Sequence, residues 1–101
     1  MIKHIVLFKL APFAEGGSRD ENALYLKKEL ENLPSFMPEL LKMEVVLNKP
    51  GVSDANYDLM LTAEFEDLQG LNIYINHPEH LKIGSFMSKV RTSRVAIDHE
   101  F

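Results

Sequence analysis

Two histidines, His77 and His80, stand three residues apart around Pro78, with Tyr74 just upstream. The stretch Tyr74-Ile75-Asn76-His77-Pro78-Glu79-His80 lies between two helical patterns and reads as a fixed helix start. Proline is favoured at the first helical position, where its missing N–H would be unpaired anyway. His80 then occupies the third position of that helix. The positive end of the helix dipole disfavours a second positive charge there. A neutral imidazole is expected, which is the form a general base needs. Tyr74 can donate a hydrogen bond to a carbonyl oxygen that gains negative charge. A base beside an oxyanion donor suffices for enolisation or aldol chemistry, so no cofactor is expected. Tyr74 and His80 are the candidate catalytic pair. The structural alternative is that they only tie down the helix break. A third reading is contact with a ligand that is not transformed.

The other titratable residues carry weaker signals. His77 is expected to cap the helix through its backbone or to pack on Pro78. His4 alternates with Ile2 and Val6 and so lies on an apolar face. A lone histidine there is expected to be a satisfied core residue, bonded to Asp98, unless it lines a pocket. His99 should face away from Asp98. Two histidines three apart plus a carboxylate can bind zinc. Here the intervening proline turns the side chains apart and the spacing supplies no third ligand, so no metal site is assigned.

The elements that must position these residues follow from periodicity. Residues 2–10 alternate, with Ile2, His4, Val6, Phe8 and Leu10 on one face and Lys3, Ile5, Leu7 and Lys9 on the other. Both faces are apolar in the middle, so both need cover. Residues 11–19 read as a loop, marked by Pro12 and Gly16-Gly17. Ser18 or Asp20 can cap the next helix. That helix carries Ala23, Leu26, Leu30 and Leu33 at helical spacing. Pro34 ends it, because the residue before a proline resists the α region. Residues 40–48 and 57–66 read as strands, the second with Leu59, Leu61, Ala63 and Phe65 on one face. Asp67 is a plausible cap for a helix presenting Leu68, Leu71 and Ile75. After the His-Pro segment comes a mixed apolar stretch, then a last strand through Arg94 to Phe101.

The order β-α-β-β-α-β is the ferredoxin-like arrangement, an α+β fold with an antiparallel four-stranded sheet. Its first and last strands are neighbours, which brings His4 close to Asp98. Helices cover one face of such a sheet. The other face carries Ile5, Leu7 and Met60. Burying one such side chain is worth roughly 1.5–3 kcal/mol, and an apolar patch of several is unusual on a monomer. A two-fold homodimer packed sheet against sheet is expected.

Length and composition set the outer limits. The chain has 101 residues, enough for one domain over 1–101 and not for two. With 46% hydrophobic and 26% charged residues it reads as globular rather than disordered. The net charge of −4 and the lack of a basic stripe argue against nucleic-acid binding. The absence of cysteine excludes thiolate catalysis, disulfides and Cys-based zinc sites. It is compatible with a reducing cytoplasm, the expected location. The N-terminal apolar run is too short for a signal peptide core or a membrane span, and no membrane partner is expected.

The opening Met1-Ile2-Lys3-His4-Ile5-Val6-Leu7-Phe8-Lys9, the helix ending in Tyr74-Ile75-Asn76-His77-Pro78-Glu79-His80, and the late Asp98 together resemble the stress-responsive dimeric A/B barrel (Dabb) family. The resemblance spans essentially the whole chain. It implies a homodimer whose two sheets form a barrel-like core, with a pocket between each sheet and its own helices. One branch of the family acts as a polyketide cyclase through a tyrosine and the second histidine of His-Pro-x-His. By motif these fall on Tyr74 and His80. A pocket histidine of the first strand and an aspartate of the last fall on His4 and Asp98. The sequence departs from that branch at Leu59, which stands where a further pocket histidine does. It also departs at Ala23 and Leu26, which replace aromatics, and at Arg91, another aromatic position. The apolar wall of such a pocket is expected from Val6, Phe8, Leu59 and Leu61, residues that are core by default.

Three functions follow as expectations. The first is a homodimer that binds a small hydrophobic or aromatic molecule at His4, Tyr74, His80 and Asp98. The second is a cofactor-independent cyclase, isomerase or monooxygenase-like enzyme using Tyr74 and His80. The third is a stress-associated structural dimer without a ligand.

Overall fold

A computed structural model describes residues 1–101. The first strand, β1, is Ile2–Leu10, and its burial alternates strictly along its length. A two-residue hairpin, β2 (Phe13–Ala14) and β3 (Gly17–Ser18), follows within the stretch expected to be loop. Its turn places Glu15 at φ 49° and Gly16 at φ 77°. Two successive left-handed residues match the right-handed twist of the flanking strands. The first of them is a glutamate, so only half of the usual turn signal is present in the sequence. Asn22, a buried polar residue, holds the hairpin by donating to the carbonyls of Ala14 (3.0 Å) and Gly17 (3.4 Å).

Helix α1 spans Arg19–Glu31 and opens on a capping box, in which the Ser18 hydroxyl and the Glu21 carboxylate each accept the other residue's N–H. Its buried face includes Ala23, Leu26 and Leu30, as the spacing indicates. A short 3-10 turn, Leu33–Ser35, closes the segment at Pro34. Strands β4 (Lys42–Leu47) and β5 (Leu59–Phe65) come next, then helices α2 (Leu68–Asn76) and α3 (Pro78–Val90). Strand β6, Arg91–Glu100, ends the chain.

The four long strands form one antiparallel sheet in the order β4-β5-β1-β6, the ferredoxin-like topology. His4 lies opposite Asp98, Val6 opposite Ala96, and Phe8 opposite Arg94. The core fills the space between helices and sheet, around Val6, Leu26, Leu61, Phe65 and Tyr74.

Helix α2 departs from the sequence reading. Leu71 is buried as expected, but Leu68 and Ile75 are exposed, and Gly70 and Tyr74 are buried in their place. A Cβ built on Gly70 would stand 3.6 Å from the Phe65 Cβ. That is ordinary van der Waals contact, so the helix packs on Phe65 without requiring a glycine there. Tyr74 takes the inward position, its ring centroid 5.2 Å from that of Phe65, and Ile75 faces out.

The helix-free face of the sheet is apolar at its centre. Ile5, Leu7, Met60, Val46, Val95 and Ile97 alternate with the core-facing residues of their strands. Val46, Val95 and Ile97 are exposed, Ile97 at 66%. Charged residues (Lys3, Lys42, Glu64) frame one end of this patch.

Candidate functional site

The junction between α2 and α3 is built by His77. Its φ and ψ of −68° and 136° break the helix. Its ring Nδ1 accepts the Glu79 N–H at 3.1 Å, so it caps α3 with its side chain rather than through its backbone as expected. Pro78 takes the first helical position and His80 the third.

His80 uses one ring nitrogen to fix its orientation. Its Nδ1–H donates to the Ile75 carbonyl at 3.0 Å. The proton therefore sits on Nδ1, and the lone pair of the neutral ring is on Nε2. Burial pushes the His80 pKa below its ordinary value, and the charges of His4, Arg94 and His77 add to that, against the opposing pull of the Ile75 carbonyl. Neutrality was expected from the helix dipole. The dominant cause is desolvation.

Tyr74 is 1% exposed, and its ring is held among three aromatic neighbours. Ring centroids lie 4.3 Å from His80, 5.2 Å from Phe65 and 6.1 Å from His4. Burial raises the Tyr74 pKa far above that of a free phenol, against a smaller lowering by the Arg94 charge. The hydroxyl stays protonated and available as a donor. No fully enclosed side-chain nitrogen or oxygen lacks a partner. The Tyr74 hydroxyl and His80 Nε2 have no partner within the protein; the tyrosine is almost wholly enclosed, and the histidine beside it is half-buried.

His4 completes the group from the sheet side. Its Nδ1–H donates to the Asp98 carboxylate across the β1–β6 pair. That fixes the ring edge-on to Tyr74, with an interplanar angle of 67°. His99 points to the other face and is exposed.

Tyr74, His80, His4 and Asp98 therefore come together, from α2, α3, β1 and β6. Val6, Phe8, Leu59 and Leu61 lie beneath them in the closed core. The five principal depressions of the surface include none of these eight residues. One of them, a cleft of about 440 Å³ lined by Lys9, Arg19 and Asp58, sits toward the far end of β1. The junction instead borders an open shelf formed by strand β6, which is exposed along almost its whole length. Arg94 on that shelf was not singled out from the sequence. Its place follows from the alternation Arg94, Ala96, Asp98 once Asp98 is set opposite His4.

A family model for the stress responsive A/B barrel domain matches residues 2–101. Among curated proteins, none matches the chain. A dimeric protein of unknown function and ferredoxin-like fold from Bacteroides fragilis is 32% identical, with a TM-score of 0.83 over 99% of this chain and 95% of that one. A dimeric ferredoxin-like protein of unknown function from Thermobifida fusca is 25% identical, with a TM-score of 0.81 over 99% and 90%. Hydroxynitrile lyase from Passiflora edulis is 15% identical, with a TM-score of 0.77 over 97% and 90%, a likeness of fold alone. No helix is long and apolar enough to cross a membrane. The topology, the His-Pro-x-His junction and the match over nearly every residue agree: the chain belongs to the stress responsive A/B barrel domain family.

Proposed function

We propose that this chain acts as a single domain that pairs through its helix-free sheet face and binds a small hydrophobic or aromatic molecule at the Tyr74–His80 junction. The observation that carries the binding reading is the pair of free polar atoms, the Tyr74 hydroxyl and His80 Nε2, on rings 4.3 Å apart. Both rings are fixed by packing or by a backbone bond, so little is left to order when a ligand arrives. The open apolar face and the dimeric B. fragilis and T. fusca relatives support the homodimer. In the bound state Tyr74 would donate to a ligand oxygen, and the apolar body would rest against Ala96 and the rings of Tyr74 and His80.

A second reading, a cofactor-independent enzyme, is favoured by the His80 tautomer. The neutral ring presents Nε2 as a base beside a protonated phenol. His80 would remove a proton next to a ligand carbonyl while Tyr74 stabilises the resulting oxyanion. His4 and Asp98 would hold Tyr74 from behind.

A thermal-shift screen against small aromatic ketones and phenols, run with Tyr74→Phe and His80→Ala, tests both. Binding requires that a compound which stabilises the protein stabilises Tyr74→Phe less. Catalysis requires in addition that His80→Ala still binds an enolisable compound but no longer exchanges its α-protons with deuterium. A protein that keeps its fold and finds no ligand in the screen would be a structural dimer.

A further inference from the structure

Strand β6 carries Arg94, Ala96 and Asp98 on the helix side of the sheet, opposite Phe8, Val6 and His4. Their β1 partners are buried and they are exposed, because no helix covers this strand. At about 3.3 Å per residue, the Cα atoms of Arg94 and Asp98 lie roughly 13 Å apart. Between them Ala96, the cross-strand partner of Val6, is exposed and contributes only a methyl group. Asp98 is engaged by His4. Arg94 forms no ion pair and no hydrogen bond within the protein, whereas Arg19 is held by the Leu10 carbonyl and by Asp58. The Arg94 charge nevertheless acts on both Tyr74 and His80, opposing protonation of the imidazole and favouring the phenolate. An unengaged guanidinium thus stands at one end of the shelf, and the Tyr74 and His80 rings pack toward its other end, beside His4 and Asp98.

We infer that the junction selects a small monocarboxylate with a flat apolar body. The carboxylate docks on the Arg94 guanidinium, the body lies over Ala96, and its far end meets Tyr74 and His80. The planar fork of arginine matches a carboxylate with two parallel hydrogen bonds. A phosphate dianion fits poorly, since the shelf offers one free cation and ends at the Asp98 carboxylate. This inference rests on the junction being the ligand site and adds to it the class of ligand.

Titration calorimetry with phenylacetate and its neutral isostere phenylacetamide tests it. The variants are Arg94→Gln, Ala96→Leu and, as a charge control on the surface of α1, Lys28→Gln. The expected result is that phenylacetate binds the wild type at least about tenfold more tightly than phenylacetamide, as one charge-assisted pair requires. Arg94→Gln removes that preference, Lys28→Gln keeps it, and Ala96→Leu blocks both compounds. Equal binding of acid and amide that Ala96→Leu still blocks would overturn the carboxylate and leave the site standing. Binding that Ala96→Leu does not change, or no binding of either compound, would overturn the site together with the inference.

Discussion

β4 and β6 are the two edges of one sheet, and the chain finishes them in opposite ways. The outer side of β4 is closed by α1. Glu31 accepts the Val45 N–H at 3.1 Å, Lys27 donates to the Val45 carbonyl, and the two side chains meet at 3.0 Å. A free strand edge invites pairing with another chain, and this arrangement blunts it. β6 has no comparable cover. Only Ser93 among its ten residues is part-buried, and one side chain, His99, touches its backbone, at the Glu100 carbonyl. One face of β6 offers Val95 and Ile97 to the apolar patch. The other offers Arg94 and Asp98 to the Tyr74–His80 junction. A chain that seals one edge with two charged side chains and leaves the other open has concentrated its unfinished surface on one strand. In our account that strand serves both the dimer face and the ligand shelf.

The contrast can be broken at several points. Ile97→Lys places a charge in the middle of the open face and should have the largest effect. Light scattering should report the 11.5 kDa chain mass in place of twice that value for the wild type. Glu31→Ala attacks the sealed edge instead. It leaves the Val45 N–H without its acceptor and should cost about 1–2 kcal/mol in urea denaturation with the dimer intact. The Glu31 pKa is lowered: burial pushes it up, but the Val45 N–H and Lys27 outweigh that. The stability from this seal is present above the unfolded carboxyl value near 4.5 and is lost as pH falls through the folded value.

Two smaller effects separate the neighbouring histidines at the junction. His77→Ala removes the α3 cap and should cost about 1 kcal/mol, with ligand binding reduced only as far as the junction loosens. His80→Gln should show mainly in pH dependence. The folded-state pKa of His80 is depressed, so the stability gained by keeping it neutral is full above about 6.5 and is lost as pH falls below that. The thermal midpoint of the variant should fall less steeply than that of the wild type between neutral and mildly acidic pH.

The strict alternation of β1 made its two faces legible, and topology alone placed His4 beside Asp98. The helix start at Pro78 was legible because proline leaves few other positions open. The turn of α2 was not, since the packing of Tyr74 against Phe65 is a tertiary contact that a stripe of leucines does not encode. The hairpin at Glu15-Gly16 was hidden by a glutamate in a left-handed position. Val6, Phe8, Leu59 and Leu61 show a deeper limit. An apolar face reads the same whether it fills a core or walls a pocket, and here these residues lie in the closed core. Arg94 was missed because an edge-strand arginine looks like ordinary surface until its register with β1 is fixed.

The central claim is that the Tyr74–His80 junction, facing the open strand, is a ligand site and not only a helix break. Its most direct test is a titration of ¹⁵N-labelled protein with a panel of small aromatic ketones and acids, followed by amide chemical shifts. The account expects concentration-dependent changes clustered at Tyr74, His80 and residues 94–98. Changes confined to the cleft around Lys9, Arg19 and Asp58, or none anywhere, would contradict it.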